Sequence, residues 1–323
     1  MPEIILDDTA YASTTGETVL DTLTRNGATV PSSCRSGVCQ TCLMRAVDGA
    51  VPPESQKGLK DTLRARGYFL ACQCMPTEAL RIERPGAEAR RLAAKVHAIT
   101  PLNREIVSVA LECSDMGDYR AGQFINVFKD DSLSRSYSLA SAPAIDPHLT
   151  LHVRKMENGR VSGWIHEALR VGDQVAISQP LGECFYVPSD PEQPLLLMGT
   201  GSGLAPLYGI IRDALRHGHR GPIHLYHGSG HKHGLYLIDE LRALAREHAN
   251  VQYHPCVSRE EPSEDLRRGR VVDIALSDLT ALAYWRVFLC GHPDMVQSAK
   301  KRLYLAGASL KNIYADAFIH SAA

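Results

Sequence analysis

Four cysteines in an unequal spacing constrain this chain more than any other feature. Cys34, Cys39 and Cys42 read C-x4-C-x2-C within SSCRSGVCQTC, and Cys72 follows after twenty-nine further residues, at the end of YFLAC. Thiolates are soft ligands, and four of them at this spacing hold two sulfide-bridged irons. Three ligands on one short loop pre-organise half of such a centre. Gly37 lets the backbone wrap it, with N–H groups turned toward sulfide. A [2Fe–2S] centre on Cys34, Cys39, Cys42 and Cys72 carries one electron at a time.

Zinc and free thiols are the competing readings. Zinc ribbons present two Cys-x-x-Cys pairs, whereas here only Cys39 and Cys42 form one, and Cys72 and Cys74 form a Cys-x-Cys. Cys74 is the ambiguous residue. Cys72 is taken as the ligand because it gives the spacing above and follows Leu-Ala; Cys74 is read as a near neighbour. Cys113, Cys184, Cys256 and Cys290 read as buried small hydrophobes. The start, MPEIILDDTAY, carries no signal-peptide pattern, so the thiols are expected to be reduced, in the cytoplasm.

The 323 residues leave room for two or three domains. A net charge of −1, from 35 basic and 36 acidic residues, excludes a global basic field for nucleic acid or an anionic membrane. The longest charge-free run, Gln193–Ile211, is broken by Pro194, Gly199, Gly201, Gly203 and Pro206. It reads as a buried strand, a turn and a helix start rather than a membrane span.

The rhythm changes twice along the chain. Residues 1–84 carry the cysteine loop, with EIILDD and ETVLDTLTRNG reading as strand, turn and a short helix ended at Gly27. Residues 85–91 lie in the Pro-, Gly- and charge-rich stretch IERPGAEARRLAA and read as a linker. Residues 92–190 hold repeated short strands, KVHAITPL, EIVSVALEC, GQFINVFKD, RSYSLAS, LTLHVRKM and VAISQPLGECFYV, with one helix at GRVSGWIHEALRVGD; this predicts a small β-barrel. In residues 191–323 apolar strands alternate with amphipathic helices such as LYLIDELRALAREHA, which predicts a parallel nucleotide-binding sheet.

Four motifs in the last two blocks carry chemistry. RSYS, residues 135–138, reads either as the start of a barrel strand or as a flavin site: Arg135 for a phosphate, the Tyr137 ring for an isoalloxazine, Ser138 for a hydrogen bond near N5. GRVS, from Gly159 to Ser162, enters a helix whose N–H groups and hydroxyl suit a pyrophosphate. GQFINV and PLGECF are expected as strands flanking that site. MGTGSGLAP follows the strand PLLL and opens a helix, so its glycines permit close approach to a dinucleotide pyrophosphate. FLCGHPDM is a second strand end; Cys290 there reads either as core packing or as a thiol beside the nicotinamide.

Taken in order, C-x4-C-x2-C-x29-C, RSYS, GRVS, GTGSGLAP, LCGHPDM and the terminal YADAF resemble the flavin- and iron–sulfur-containing reductases of bacterial ring-hydroxylating oxygenases, of the benzoate and naphthalene dioxygenase reductase type. The resemblance implies a multidomain fold: a plant-type ferredoxin α+β domain, an FAD-binding antiparallel β-barrel and an α/β parallel-sheet NAD(P) domain of the ferredoxin–NADP reductase kind. It implies that Arg135, Tyr137, Ser138, Val153, Gly159, Arg160, Val161 and Ser162 bind FAD. Thr200, Gly201, Gly203, Pro206, Cys290 and Gly291 would bind NAD(P), and Asp316 and Phe318 would approach the flavin from the C-terminus. Ser138, Cys290 and Phe318 are the residues it places at the reacting ring.

The resemblance also implies the reaction. NADH or NADPH gives two electrons at once, FAD divides them, and the [2Fe–2S] cluster passes them singly to a terminal oxygenase or a separate ferredoxin; the exposure expected of the cluster loop, not the resemblance, puts the docking surface near Arg35 and Ser36. A Rieske-type oxygenase is the expected partner; a diiron monooxygenase, a cytochrome P450 or a deoxysugar dehydratase are the alternatives, and a non-catalytic metal-binding scaffold is the alternative of another class. One departure bears on the nucleotide. Gly230 stands where such reductases often carry an Arg, with His231, Lys232 and His233 beside it. Ser258 and Arg259 stand where NADPH-using relatives hold the 2′-phosphate, but the companion Lys-x-Tyr is absent, so NADH is the expected donor.

Overall fold

The computed structural model describes residues 2–32, 34–37, 40–85, 91–130, 133–261 and 265–318. Cys39, one of the four expected cluster ligands, lies outside the described residues. Contacts divide the chain into two units at residues 90 and 91. No helix among the described residues is long and apolar enough to cross a membrane.

In the first unit, β1 (Glu3–Leu6), β2 (Thr9–Ala12), β3 (Leu43–Asp48), β4 (Tyr68–Leu70) and β5 (Leu80–Glu83) form one sheet in the order β2-β1-β5-β3-β4. Helices α1 (Val19–Arg25) and α2 (Asp61–Ala65) complete it. Thr18 caps α1 by accepting the Asp21 N–H at 3.1 Å. The expected stop at Gly27 is a left-handed turn, φ +81°, with the Ala28 N–H returning to Leu23 O. Ile4, Leu6, Leu20, Leu23, Met44, Phe69 and Ile82 bury the apolar faces of helix and sheet together.

The second unit begins with six antiparallel strands, β6 (Arg91–Pro101), β7 (Ile106–Glu112), β8 (Phe124–Phe128), β9 (Ser134–Ser138), β10 (Leu149–Arg154) and β11 (Gln174–Ser178), in the order β10-β7-β6-β11-β8-β9. A bridge between Leu139 and Leu151 joins the two edge strands, so the sheet closes into the expected barrel. Alternate residues Leu92, Ala94 and Val96 point inward along β6. Helix α3 (Arg160–Glu167) enters between β10 and β11. The segment PLGECF is a correction: β11 ends at Ser178, and only Leu181 bridges Phe124. Gly182 turns at φ +93°, against the Phe124 ring, and carries Cys184, Phe185 and Tyr186 into the interior.

Six parallel strands follow: β12 (Leu195–Thr200), β13 (Ile223–Ser229), β14 (Val251–Val257), β15 (Arg267–Arg268), β16 (Arg286–Gly291) and β17 (Ile313–Ala317). Helices α4 (Leu204–Arg216), α5 (Ile238–Glu247), α6 (Val271–Asp278) and α7 (Pro293–Leu305) alternate with them. The order is β15-β14-β13-β12-β16-β17. The chain moves outward from β12 one way and returns on its other side as β16, so the crevice between the carboxyl ends of β12 and β16 is the topological switch point. One expectation changes. The helix in LYLIDELRALAREHA begins only at Ile238, after Leu237 at φ +53°, and the preceding Tyr236 is buried. The terminal YADAF supplies most of the sixth strand, paired Cys290 to Asp316 and Gly291 to Ala317.

Candidate functional site

In the cysteine unit, the Cys42 and Cys72 thiols are buried neighbours, and burial pushes the Cys42 thiol up. Cys34 is exposed, with its sulfur accepting the Ser36 N–H at 3.4 Å. Arg35 and Gly37 are both left-handed, φ 51° and 79°, so the backbone turns sharply just after Cys34. Gln73 Nε2 ties the two ligand segments together: it donates to Arg35 O at 3.1 Å and reaches Cys72 Sγ at 3.6 Å. Cys74 does structural work. Its carbonyl accepts the Val19 N–H at the start of α1 at 2.7 Å, and its thiol is fully buried beside Ser55, pushed up to about 12 by that burial. A soft thiolate set on a curled loop with N–H···S donors fits an iron–sulfur cluster.

In the second unit two cavities adjoin, of about 580 and 630 Å³. Arg154, Met156, Ser202 and Phe318 border both. The smaller lies outside the barrel wall and is lined by Arg135, Tyr137, Ser138, Gly159, Arg160, Val161, Ser162, Asp316 and Phe318. Helix α3 has no side-chain cap, so its first-turn N–H groups face the cavity without intrahelical acceptors. The Ser162 hydroxyl is engaged locally, accepting the Met156 N–H at 3.1 Å. Burial pushes the Tyr137 hydroxyl above its ordinary range. The Ser138 hydroxyl donates to Asp316 Oδ2 at 2.9 Å, and burial raises that carboxyl while this hydrogen bond opposes the rise. A guanidinium, helix N–H groups without intrahelical acceptors and an aromatic wall fit FAD.

Val153 is not on this wall. It is fully buried in the barrel core, because alternation along β10 turns it inward; its neighbour His152 lines the cavity instead.

The larger cavity opens at the switch point. Thr200 and Gly201 line it, together with Ser258, Arg259, Arg270, His292 and Arg302. Gly203, Pro206, Cys290 and Gly291 lie one layer behind its wall. A Cβ on Gly203 would sit 2.3 Å from Cys290 O, and one on Gly291 would sit 2.6 Å from Thr200 O, so these glycines let the two strand ends close on each other. The Cys290 thiol is sealed, 3.6 Å from Cys184 Sγ, and burial holds it well above its ordinary range. The Phe318 N–H returns to Gly291 O at 2.8 Å, which holds its ring on the border of both cavities. Arg154, which pairs with Glu105 at 2.8 Å, and Arg270 were invisible as site residues in the sequence.

Residues 5–77 match the 2Fe-2S iron-sulfur cluster binding domain, 94–186 the oxidoreductase FAD-binding domain and 197–301 the oxidoreductase NAD-binding domain. The chain is 33% identical over 309 residues to the ferredoxin–NAD(P)(+) reductase component of a naphthalene 1,2-dioxygenase system from Pseudomonas putida, covering 94% of each. It is 33% identical over 321 residues to the reductase subunit of an aromatic O-demethylase from an Amycolatopsis species, covering 94% of each. A crystal structure of an Amycolatopsis cytochrome P450 reductase superposes with a TM-score of 0.69 at 30% identity, covering 98% of this chain and 99% of that one.

Proposed function

The chain belongs to the ferredoxin–NAD(P)(+) reductase components of oxygenase systems, and from that premise we propose that it takes electrons from NAD(P)H and hands them singly to a Rieske-type aromatic-ring-hydroxylating oxygenase, directly or through a separate ferredoxin. The observation that carries the reading is the pair of adjoining cavities with Phe318 on their common border. FAD, when bound, turns a two-electron donation into single electrons, and the [2Fe–2S] cluster passes these on one at a time.

The protein's own residues bind and orient. Arg135 and the first turn of α3 receive phosphates, and the β12–α4 turn receives the nucleotide pyrophosphate. Tyr137 and Ser138 face one side of the flavin ring. Phe318, on the common border of the two cavities, would stand between the flavin and the nucleotide. Cys290, from behind the wall, fixes the width of the crevice through its contact with Gly203. Asp316, hydrogen-bonded to Ser138, holds or releases a proton beside the ring. Cys34, Cys39, Cys42 and Cys72 hold the cluster, and the exposed Arg35 and Ser36 form part of the docking face.

NADH is the donor we favour, on the missing Lys-x-Tyr pair. The domain division 1–84, 92–190 and 191–323 is supported by the change of sheet at each step. The cytoplasm is the proposed compartment, since thiolate ligands and NAD(P)H both belong to reducing surroundings.

The purified protein should show flavin and iron absorption, reduce cytochrome c with NADH, and support turnover when reconstituted with a Rieske oxygenase. A colourless protein holding zinc and no flavin overturns the reading. Turnover only with a diiron or P450 partner moves the oxygenase class and keeps the reductase.

A further inference from the structure

Barrel closure brings an unassigned histidine to the smaller cavity. Leu139 and Leu151 form the antiparallel bridge and both are sealed in the core. Side chains alternate along strands, so the next pair, Ser138 and His152, turns the other way, and both line the cavity.

His152 has one ring nitrogen engaged. Its Nδ1 lies 3.1 Å from the Tyr236 hydroxyl, and the two rings meet edge to face, 81° apart with centroids at 5.3 Å. A phenol is the better donor and an imidazole nitrogen the better acceptor. Tyr236 therefore donates to Nδ1, and the ring proton sits on Nε2. Burial holds the imidazole neutral, down to about 3. His227 Nε2 and His254 Nε2 are sealed without partners; His152 Nε2 is not among such nitrogens, and His152 itself lines the cavity.

We propose that His152 is a positioning residue for the flavin, its Nε2–H donating a hydrogen bond to a carbonyl oxygen or ring nitrogen of the isoalloxazine while Tyr236 fixes its tautomer. The ring end of FAD is the partner because the neighbours of His152 on the wall are Tyr137 and Ser138. The proposal rests on the reading of this cavity as the FAD site.

The test titrates flavin-stripped full-length protein with FAD, read by flavin fluorescence, for the native chain, His152→Leu, His152→Gln and Tyr236→Phe. His152→Leu should weaken FAD about 3- to 10-fold, the range of one neutral hydrogen bond, and shift the flavin visible band. His152→Gln, which keeps an N–H at similar reach, should recover most of both. Nitrogen-15 spectra of histidine-labelled native protein should show His152 protonated at Nε2, with that proton shielded from exchange once FAD binds. Native affinity and spectrum in His152→Leu overturn the proposal, as does a proton on Nδ1; the spectra and Tyr236→Phe decide it if His152→Leu does not fold. Native protein that binds no FAD overturns the cavity reading and the proposal together, a result distinct from a failure of His152 alone.

Discussion

The Ser138 hydroxyl donates to Asp316 Oδ2 across 2.9 Å, joining β9 of the barrel to β17 of the parallel sheet over 178 residues of chain. This contact places a half-buried carboxyl at the smaller cavity and couples the two halves of the second unit through it.

Burial raises the Asp316 carboxyl above its ordinary 3.8, and Ser138 only partly offsets the rise. Above the unfolded-state value the folded chain binds more protons than the unfolded one, so stability falls as pH rises through the raised folded value. Asp316→Asn should therefore raise the melting temperature of flavin-free protein at pH 7, with the gain shrinking as pH is lowered, while slowing reduction of bound flavin by NADH. Ser138→Ala removes the donor and should destabilise at pH 7 by about 1–3 kcal/mol. Melting curves from pH 5 to 8 check both; an Asp316→Asn protein less stable than native at pH 7 contradicts the argument.

Cys72→Ser should abolish the visible absorption of the cluster and lower bound iron, whereas Cys74→Ser should keep both. The Cys72 thiol neighbours the Cys42 thiol, while the Cys74 thiol is sealed beside Ser55. Cys74→Ser should show only a stability loss, since it puts a hydroxyl in an apolar site. Iron analysis and absorption spectra of the two variants decide; loss of iron in Cys74→Ser would exchange the ligand assignment.

The site was legible in the sequence where its parts are local. RSYS, GRVS and GTGSG each place several cavity-lining residues within four or five positions, because a strand end or a helix start presents consecutive backbone groups. The rest depends on register across the fold. His152 rather than Val153 reaches the cavity because β10 pairs with the end of β9 at Leu139 and Leu151. Tyr236 reads as part of a helix but is buried ahead of it. Cys290 sits at the right strand end yet lies behind the wall, packed on Cys184 from the segment that reads as a strand and folds as a turn. No sequence window contains either pairing.

Arg259 and Arg270 both line the larger cavity, and neither has an ion-pair partner among the described residues, unlike Arg154 with Glu105 and Arg302 with Asp273. Unpaired guanidiniums suit a 2′-phosphate. Arg270→Ala should lower kcat/KM for NADPH about tenfold or more, the range of one charged hydrogen bond, and leave the NADH value within about twofold. Steady-state kinetics with both nucleotides measure this. An equal loss for both would mean that Arg270 meets a group the two donors share.

Gly203→Ala tests the crevice itself. The added methyl would stand 2.3 Å from Cys290 O, 2.6 Å from its carbonyl carbon and 2.7 Å from Gly291 Cα, all backbone atoms that cannot rotate aside. Relief requires β16 to move away from the β12–α4 turn, at about 1–3 kcal/mol or more. The variant should melt lower and lose NADH-driven flavin reduction by tenfold or more, yet keep its flavin, because the barrel wall is untouched. Gly163→Ala is the contrasting change: it lies within α3 with nothing within 4 Å of the new methyl. Alanine there should stabilise by about 0.5–1 kcal/mol. Melting temperature and flavin content of the two variants, measured side by side, separate a general intolerance of alanine from the specific closeness of the two strand ends; a Gly203→Ala protein with native melting and native NADH kinetics would show that the crevice does not depend on that contact.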